Sequence, residues 1–170
     1  MSVSIRQARL DDAARIAGLH VSGWEEFHAF VPREVMEART VESRTGEWAE
    51  FLSADRPSTW TTVAELDGSV VGFASTRLLD EPEYGALGEI KNLFVDATVR
   101  GAGVGRRLLV DAARWLQASG GEPIVLYSFT ENPYRGVYDR LGAPLSASGP
   151  PTGAGWSSRR RRTSGRARPR

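Results

Sequence analysis

Val99-Arg-Gly-Ala-Gly-Val-Gly-Arg-Arg107 joins an apolar strand pattern at 90–95 to an amphipathic helix pattern at 108–116. Gly101, Gly103 and Gly105, at alternate positions, strip Cβ atoms from the backbone where the helix begins. A helix start carries unpaired N–H groups and the positive end of the macrodipole. Glycine lets phosphates come close to those groups. Arg100, Arg106 and Arg107 add positive charge around the same turn. The residues therefore read as strand, phosphate-binding turn, helix.

Two commoner phosphate motifs do not fit. A Walker loop needs Gly-Lys-Ser or Gly-Lys-Thr, and neither is present. The dinucleotide fingerprint needs G-x-G-x-x-G near the first strand, whereas this spacing is G-x-G-x-G and lies past mid-chain.

Outward from the turn, the chain alternates strand and helix signals. A strand is expected at 3–8, and Asp11 or Asp12 caps a helix through Ala13, Ile16 and Leu19. A second helical region runs from Pro32 to Leu52, broken near Gly46. Strands at 60–66 and 70–78 meet at Asp67-Gly68, a strong hairpin signal. Residues 79–88 read as an acidic loop, and the next strand is 89–95. The helix after the glycine turn stops at Gly120-Gly121. A buried strand at 124–129 and a short helix at 132–141, ended by Gly142, follow.

The 170 residues suit one α/β domain, and 41% apolar with 25% charged content places it among globular proteins. With no cysteine, disulfides and thiol chemistry are excluded. No signal peptide or membrane-span pattern is evident, so a cytoplasmic location is expected. The net charge of +1 conceals an asymmetry: residues 146–170 hold seven arginines and no acid. The remainder carries 15 basic against 21 acidic residues, which gives no argument for nucleic-acid binding by the body.

The spacing R-x-x-G-x-G, read as Arg100, Gly103 and Gly105, resembles the acetyl-CoA pyrophosphate loop of the GNAT N-acetyltransferases. The preceding Glu89-Ile-Lys-Asn-Leu-Phe-Val95 is similar to that family's fourth strand, and the order β-α-α-β-β-β-α-β-α is the family's order. The resemblance spans about residues 5–142 and is of the bacterial type. It implies a GNAT fold, a mixed central sheet flanked by helices. It also implies acetyl transfer from acetyl-CoA to a primary amine of a small molecule by direct attack on the thioester, with no metal. Arg100, Gly101, Ala102, Gly103, Val104, Gly105 and Arg106 would hold the pyrophosphate. Leu93, Phe94 and Val95 would pair with the pantetheine amides like an added strand, with an N–H at Leu93 or Phe94 for the oxyanion. Asn132 would bind the pantetheine arm, although the family's asparagine commonly falls one residue earlier, where this chain has Glu131.

Transfer to an amine requires a base, because an ammonium is no nucleophile, and benefits from an acid at the leaving thiolate. Glu89, eleven residues before Arg100, matches a position where related enzymes carry a catalytic glutamate. Tyr138, in a Tyr-x-x-x-Gly segment, matches the tyrosine that faces the CoA sulfur, with Tyr134 as rival. Trp24 and His28 fall where the family walls its acceptor site, and the carboxylates Asp80, Glu81 and Glu83 are a solvated loop or an attraction for a cationic amine.

The expected domain is 1–145. A GNAT domain ends with two more strands, but 146–170 contains no Val, Ile, Leu, Met or Phe. Such a chain gains too little from burial to offset its ordering entropy, so the final two strands read as missing or replaced and the tail as disordered. Two accounts stand: a basic tail for anionic partners such as nucleic acid, or a frame shift near Pro144. Protein or peptide N-terminal acetylation and a catalytically impaired CoA-binding protein are the alternative functions. No membrane partner is expected, and a homodimer is left open.

Overall fold

The computed structural model describes residues 2–26, 33–83, 85–129, 132–140, 145–147 and 160–165. Five strands form the body of the sheet: β1 Val3–Gln7, β2 Thr59–Leu66, β3 Ser69–Glu83, β4 Ala86–Val95 and β5 Ile124–Phe129. Neighbours β1 to β4 are antiparallel, and β4 pairs with β5 in parallel. The helices are α1 Ala13–Glu25, α2 Arg33–Glu37, α3 Val41–Ser53, α4 Val104–Ala118 and α5 Gly136–Arg140.

The hairpin at Asp67-Gly68 forms as its sequence requires, with φ of 50° and 80°. Apolar residues at 104, 108, 109, 112 and 116 put one stripe of α4 against the sheet. There Leu108 and Leu116 meet Ala64, Ala74, Ile90 and Ile124. On the opposite face α1 and α3 pack Ile16, Ala17 and Trp48 against Val63 and Phe73. Arg6 fixes the entry to α1, donating to both oxygens of Asp12 (2.8 and 2.9 Å) and to Glu65 (2.8 Å).

Four expectations are corrected. The second helical region breaks at 38–40, not near Gly46, because Thr40 accepts from the Ser43 N–H and caps α3. Residues 79–88 are largely strand, since β3 and β4 continue to the pair Glu83↔Ala86 across an irregular register. The tail is not strandless: β6 Leu145–Ala147 and β7 Arg160–Gly165 extend the sheet, with β7 antiparallel to β5 and β6 beyond it. Main-chain pairing along the open edge of β5 needs no apolar side chain, so the last two strands are replaced in composition and present as backbone. The short helix is also shorter than expected, and Leu141 and Gly142 lie outside the described residues. Among the described residues no helix is long and apolar enough to cross a membrane.

Candidate active site

The glycine turn is assembled from β4 outward. Asp96 accepts from the Thr98 N–H (3.0 Å) and hydroxyl (2.7 Å), closing a 3-10 turn at Ala97–Val99. These bonds, with Arg15 beside it, pull the Asp96 carboxyl down to about 2. Gly101 and Gly103 then adopt φ of 83° and 79°, a left-handed conformation costly for a residue with a Cβ. Gly103 is the N-cap of α4 and supplies no side-chain cap. The first amides of α4 are therefore open to a ligand. Arg106 and Arg107 stand in that first turn, where the macrodipole repels cations and an anion would relieve the repulsion.

A cavity of about 760 Å³ leads away from this turn. It begins where β4 and β5 part. Their ladder runs from Gly88↔Ile124 to Ile90↔Leu126 and stops. Opposite β3, Thr76 faces Ile90 and Ser75 faces Asn92, which leaves Lys91 as the extra residue of a bulge. A bulge bends and twists its strand, which opens the gap beside it. Lys91 to Val95 form one wall and Tyr127 with Ser128 the other.

Most expected site residues line this cavity: Trp24, Leu93, Phe94, Val95, Arg100, Gly101, Gly103, Val104, Gly105, Arg106, Asn132 and Tyr138. Ala102 does not. Neither does Glu89, a buried residue two positions before Lys91, whose carboxylate accepts from Arg77 Nε at 2.5 Å. His28 and Glu131 lie outside the described residues.

The two tyrosines separate. Tyr138 packs against the cluster under α4, and burial pushes its phenol up, so the hydroxyl keeps its proton at neutral pH. Tyr134 is 45% exposed and its hydroxyl accepts from Arg100. Asn132 holds the turn before α5, accepting from the Tyr134 N–H (2.9 Å) and donating to Ser128 Oγ (3.0 Å). Glu26, Lys91, Tyr127 and Ser128 are lining residues the sequence reading missed. The parting of β4 and β5 could have nominated the last two, since both strands were legible.

On the α1 side, His20 accepts from Trp48 Nε1 at 3.2 Å and lies within ring contact of Phe94 and Phe73. Burial, then the charges of Arg44, Arg39 and Lys91, lower its imidazole to about 4. It is neutral at physiological pH.

A strand bulge, a parted parallel pair and an uncapped glycine-bounded helix start form one continuous cleft. Comparison with known proteins agrees. Residues 20–143 match the model of the acetyltransferase (GNAT) family. The chain belongs to the GNAT family. Its relatives include an uncharacterized N-acetyltransferase, YuaI, of Bacillus subtilis, 27% identical over 133 residues covering 77% of this chain and 74% of that protein. Another is aminoglycoside N(6')-acetyltransferase type 1 of Stenotrophomonas maltophilia, 30% identical over 121 residues and 69% of each chain. The fold is shared with the PaiA N-acetyltransferase of Thermoplasma acidophilum, solved in complex with coenzyme A. That likeness has a TM-score of 0.72 at 15% identity, covering 96% of this chain and 99% of the other. The protein is thus an N-acetyltransferase of the GNAT type, a family whose acyl donor is acetyl-CoA.

Proposed function

We propose that this GNAT protein transfers acetyl from acetyl-CoA to a primary amine of a small molecule, by direct attack on the thioester. The observation that carries the reading is the cleft, closed at one end by the uncapped start of α4 and bounded along its length by the parted β4. A diphosphate suits the amides after Gly103, with Arg106 adding charge. The pantetheine arm suits the edge of β4 at Leu93, Phe94 and Val95, where among the described residues no strand pairs on the β5 side.

The partly buried, protonated phenol of Tyr138 is the group we assign to the leaving thiolate. An N–H at Leu93 or Phe94 would meet the oxyanion. Glu89 is assigned as base through water, because its carboxylate is held by Arg77 and the cavity begins at Lys91. Trp24 walls the acceptor end. The small-molecule assignment draws on the aminoglycoside-acetylating relative.

Two measurements test this. Calorimetry should show CoA binding to the wild-type protein. Release of CoA thiol from acetyl-CoA should depend on an added amine across a panel of small amines and peptides. Turnover with peptide N-termini alone would replace the small-molecule assignment. CoA binding without any amine-dependent release would leave a cofactor-binding protein.

A further inference from the structure

The side chain that the glycine motif nominates for phosphate is already engaged. Arg100 Nε donates to the Val95 carbonyl at 3.0 Å, tying the guanidinium to the end of β4. Its two terminal nitrogens donate side by side to the Glu26 carboxylate, at 2.9 and 2.5 Å. One of them also donates to Tyr134 Oη at 2.7 Å, and the guanidinium carbon lies 4.7 Å from the Tyr134 ring centre. A guanidinium has five N–H donors, and four are used here. The parallel fork that suits a phosphate is the one Glu26 occupies.

The partners come from different walls of the cleft. Glu26 is the C-cap of α1, Val95 ends β4, and Tyr134 lies in the turn before α5. Tyr134 is held through Asn132 to Ser128 on β5. All of them line the cavity. We infer that Arg100 is a positioning residue, whose clasp with Glu26 and Tyr134 sets the spacing of the cleft walls while main-chain amides and Arg106 meet the phosphates. The clasp also neutralises Glu26, which would otherwise turn a bare carboxylate toward an anionic ligand. This inference rests on the acetyl-CoA reading of the cleft.

A neutral, phosphate-free probe separates the two roles. Pantetheine feels the width of the cleft and has no phosphate for an arginine to hold. CoA affinity would be measured by calorimetry and pantetheine affinity by displacement titration, in Glu26→Gln, Arg100→Gln, Tyr134→Phe and Arg106→Gln. The first three should each weaken pantetheine about three- to tenfold. The double variant of Glu26→Gln and Arg100→Gln should be no worse than Arg100→Gln alone. Arg106→Gln should weaken CoA and leave pantetheine unchanged. Arg100→Gln weakening CoA but sparing pantetheine, or Glu26→Gln tightening CoA with pantetheine unchanged, would overturn the clasp and make Arg100 a phosphate ligand. Tyr134→Phe alters an exposed hydroxyl, so it tests the clasp even where a charge variant misfolds. Wild-type protein that binds no CoA would remove the cofactor reading itself, an outcome distinct from either pattern among the variants.

Discussion

The two faces of the sheet are built from different material. Under α4 the buried residues are aliphatic: Ala64, Val71, Ala74, Ile90, Val104, Leu108, Leu109, Ala112, Leu116 and Ile124. Under α1 and α3 the centre is a set of rings. Phe73 lies 5.3 Å from Trp48 and 5.6 Å from Phe94, and His20 lies 5.1 Å from Phe94. The aliphatic face is one helix laid on strands, held by area and shape. The aromatic face joins α1, α3, β3 and β4 through contacts with preferred ring geometry. Each face supports one end of the cleft. The first turn of α4 forms the end proposed for the phosphates, and Phe94, which both lines the cleft and stacks on Phe73, belongs to the other.

The largest expected effect comes from breaking each face at its centre. Phe73 and Leu108 are both fully buried. Phe73→Ala should cost about 4 kcal/mol and Leu108→Ala about 3 kcal/mol in urea unfolding. The contrast sharpens in near-ultraviolet circular dichroism. Phe73→Ala removes the ring that Trp48, Phe94 and His20 share, so the signal should change strongly, whereas Leu108→Ala should leave it nearly intact. Equal spectral changes would show that the two faces are not separately organised.

Next in size is a pH dependence carried by the aromatic face alone. His20, held at about 4 by burial and by Arg44, Arg39 and Lys91, is neutral when folded. The unfolded chain takes up its proton near 6.5, so between about 6.5 and 4 the unfolded state binds more protons. Stability from this group is full above 6.5 and falls as pH drops through that window, by about 3 kcal/mol in all. Urea midpoints at pH 7 and pH 5 should differ accordingly, and His20→Gln should flatten that part of the profile. The buried aliphatic cluster under α4 contains no titratable side chain to do the same. An unchanged slope in His20→Gln would assign the pH dependence elsewhere.

The same division explains what the sequence made legible. The α4 stripe and the glycine turn are local and periodic, so residues 89–118 disclosed a strand, a glycine turn and a helix. The clasp of Glu26 with Arg100 spans 74 positions, and nothing local marks which of many acids meets that arginine. Glu89 was nominated by its position in β4, yet its partner Arg77 follows only from the β3–β4 register. The strands at 80–83 and 160–165 were missed for another reason. They pair through backbone, and charged, Pro- or Ser-rich side chains give no period to read. The aromatic face was not legible, because Trp48 and His20 meet only through tertiary packing.

Tyr138 tests whether chemistry leans on the aliphatic face, since it packs on that cluster from inside the cleft. Tyr138→Phe preserves the packing and removes the hydroxyl. It should lower kcat about 10²-fold, equivalent to about 2.7 kcal/mol, with little change in the KM for acetyl-CoA. Tyr134→Phe should leave kcat nearly unchanged and act through binding. The opposite pattern would move the acid role to Tyr134, and steady-state kinetics on both variants decides it.

The smallest effects come from the glycine turn, and there the signs matter more than the sizes. Gly103 has a φ of 79°, so Gly103→Ala is strained whatever the ligand does and should destabilise by about 1 kcal/mol. Gly105 is different. It lies inside α4 with ordinary helical φ, and among the described residues a Cβ there would meet only Val95 Cγ2, at 3.6 Å, an ordinary contact. Alanine is the better helix former, so Gly105→Ala should stabilise the free protein by about 0.5 kcal/mol. Its methyl would nevertheless stand where a diphosphate approaches the first amides of α4. CoA binding should therefore weaken about tenfold, about 1.4 kcal/mol, while the melting temperature without ligand rises. That pairing of opposite signs cannot come from a folding defect, because a folding defect lowers both. Calorimetry showing unchanged CoA affinity in a stabilised Gly105→Ala protein would move the diphosphate away from the start of α4. It would leave the aliphatic face as a structural support with no part in holding the cofactor.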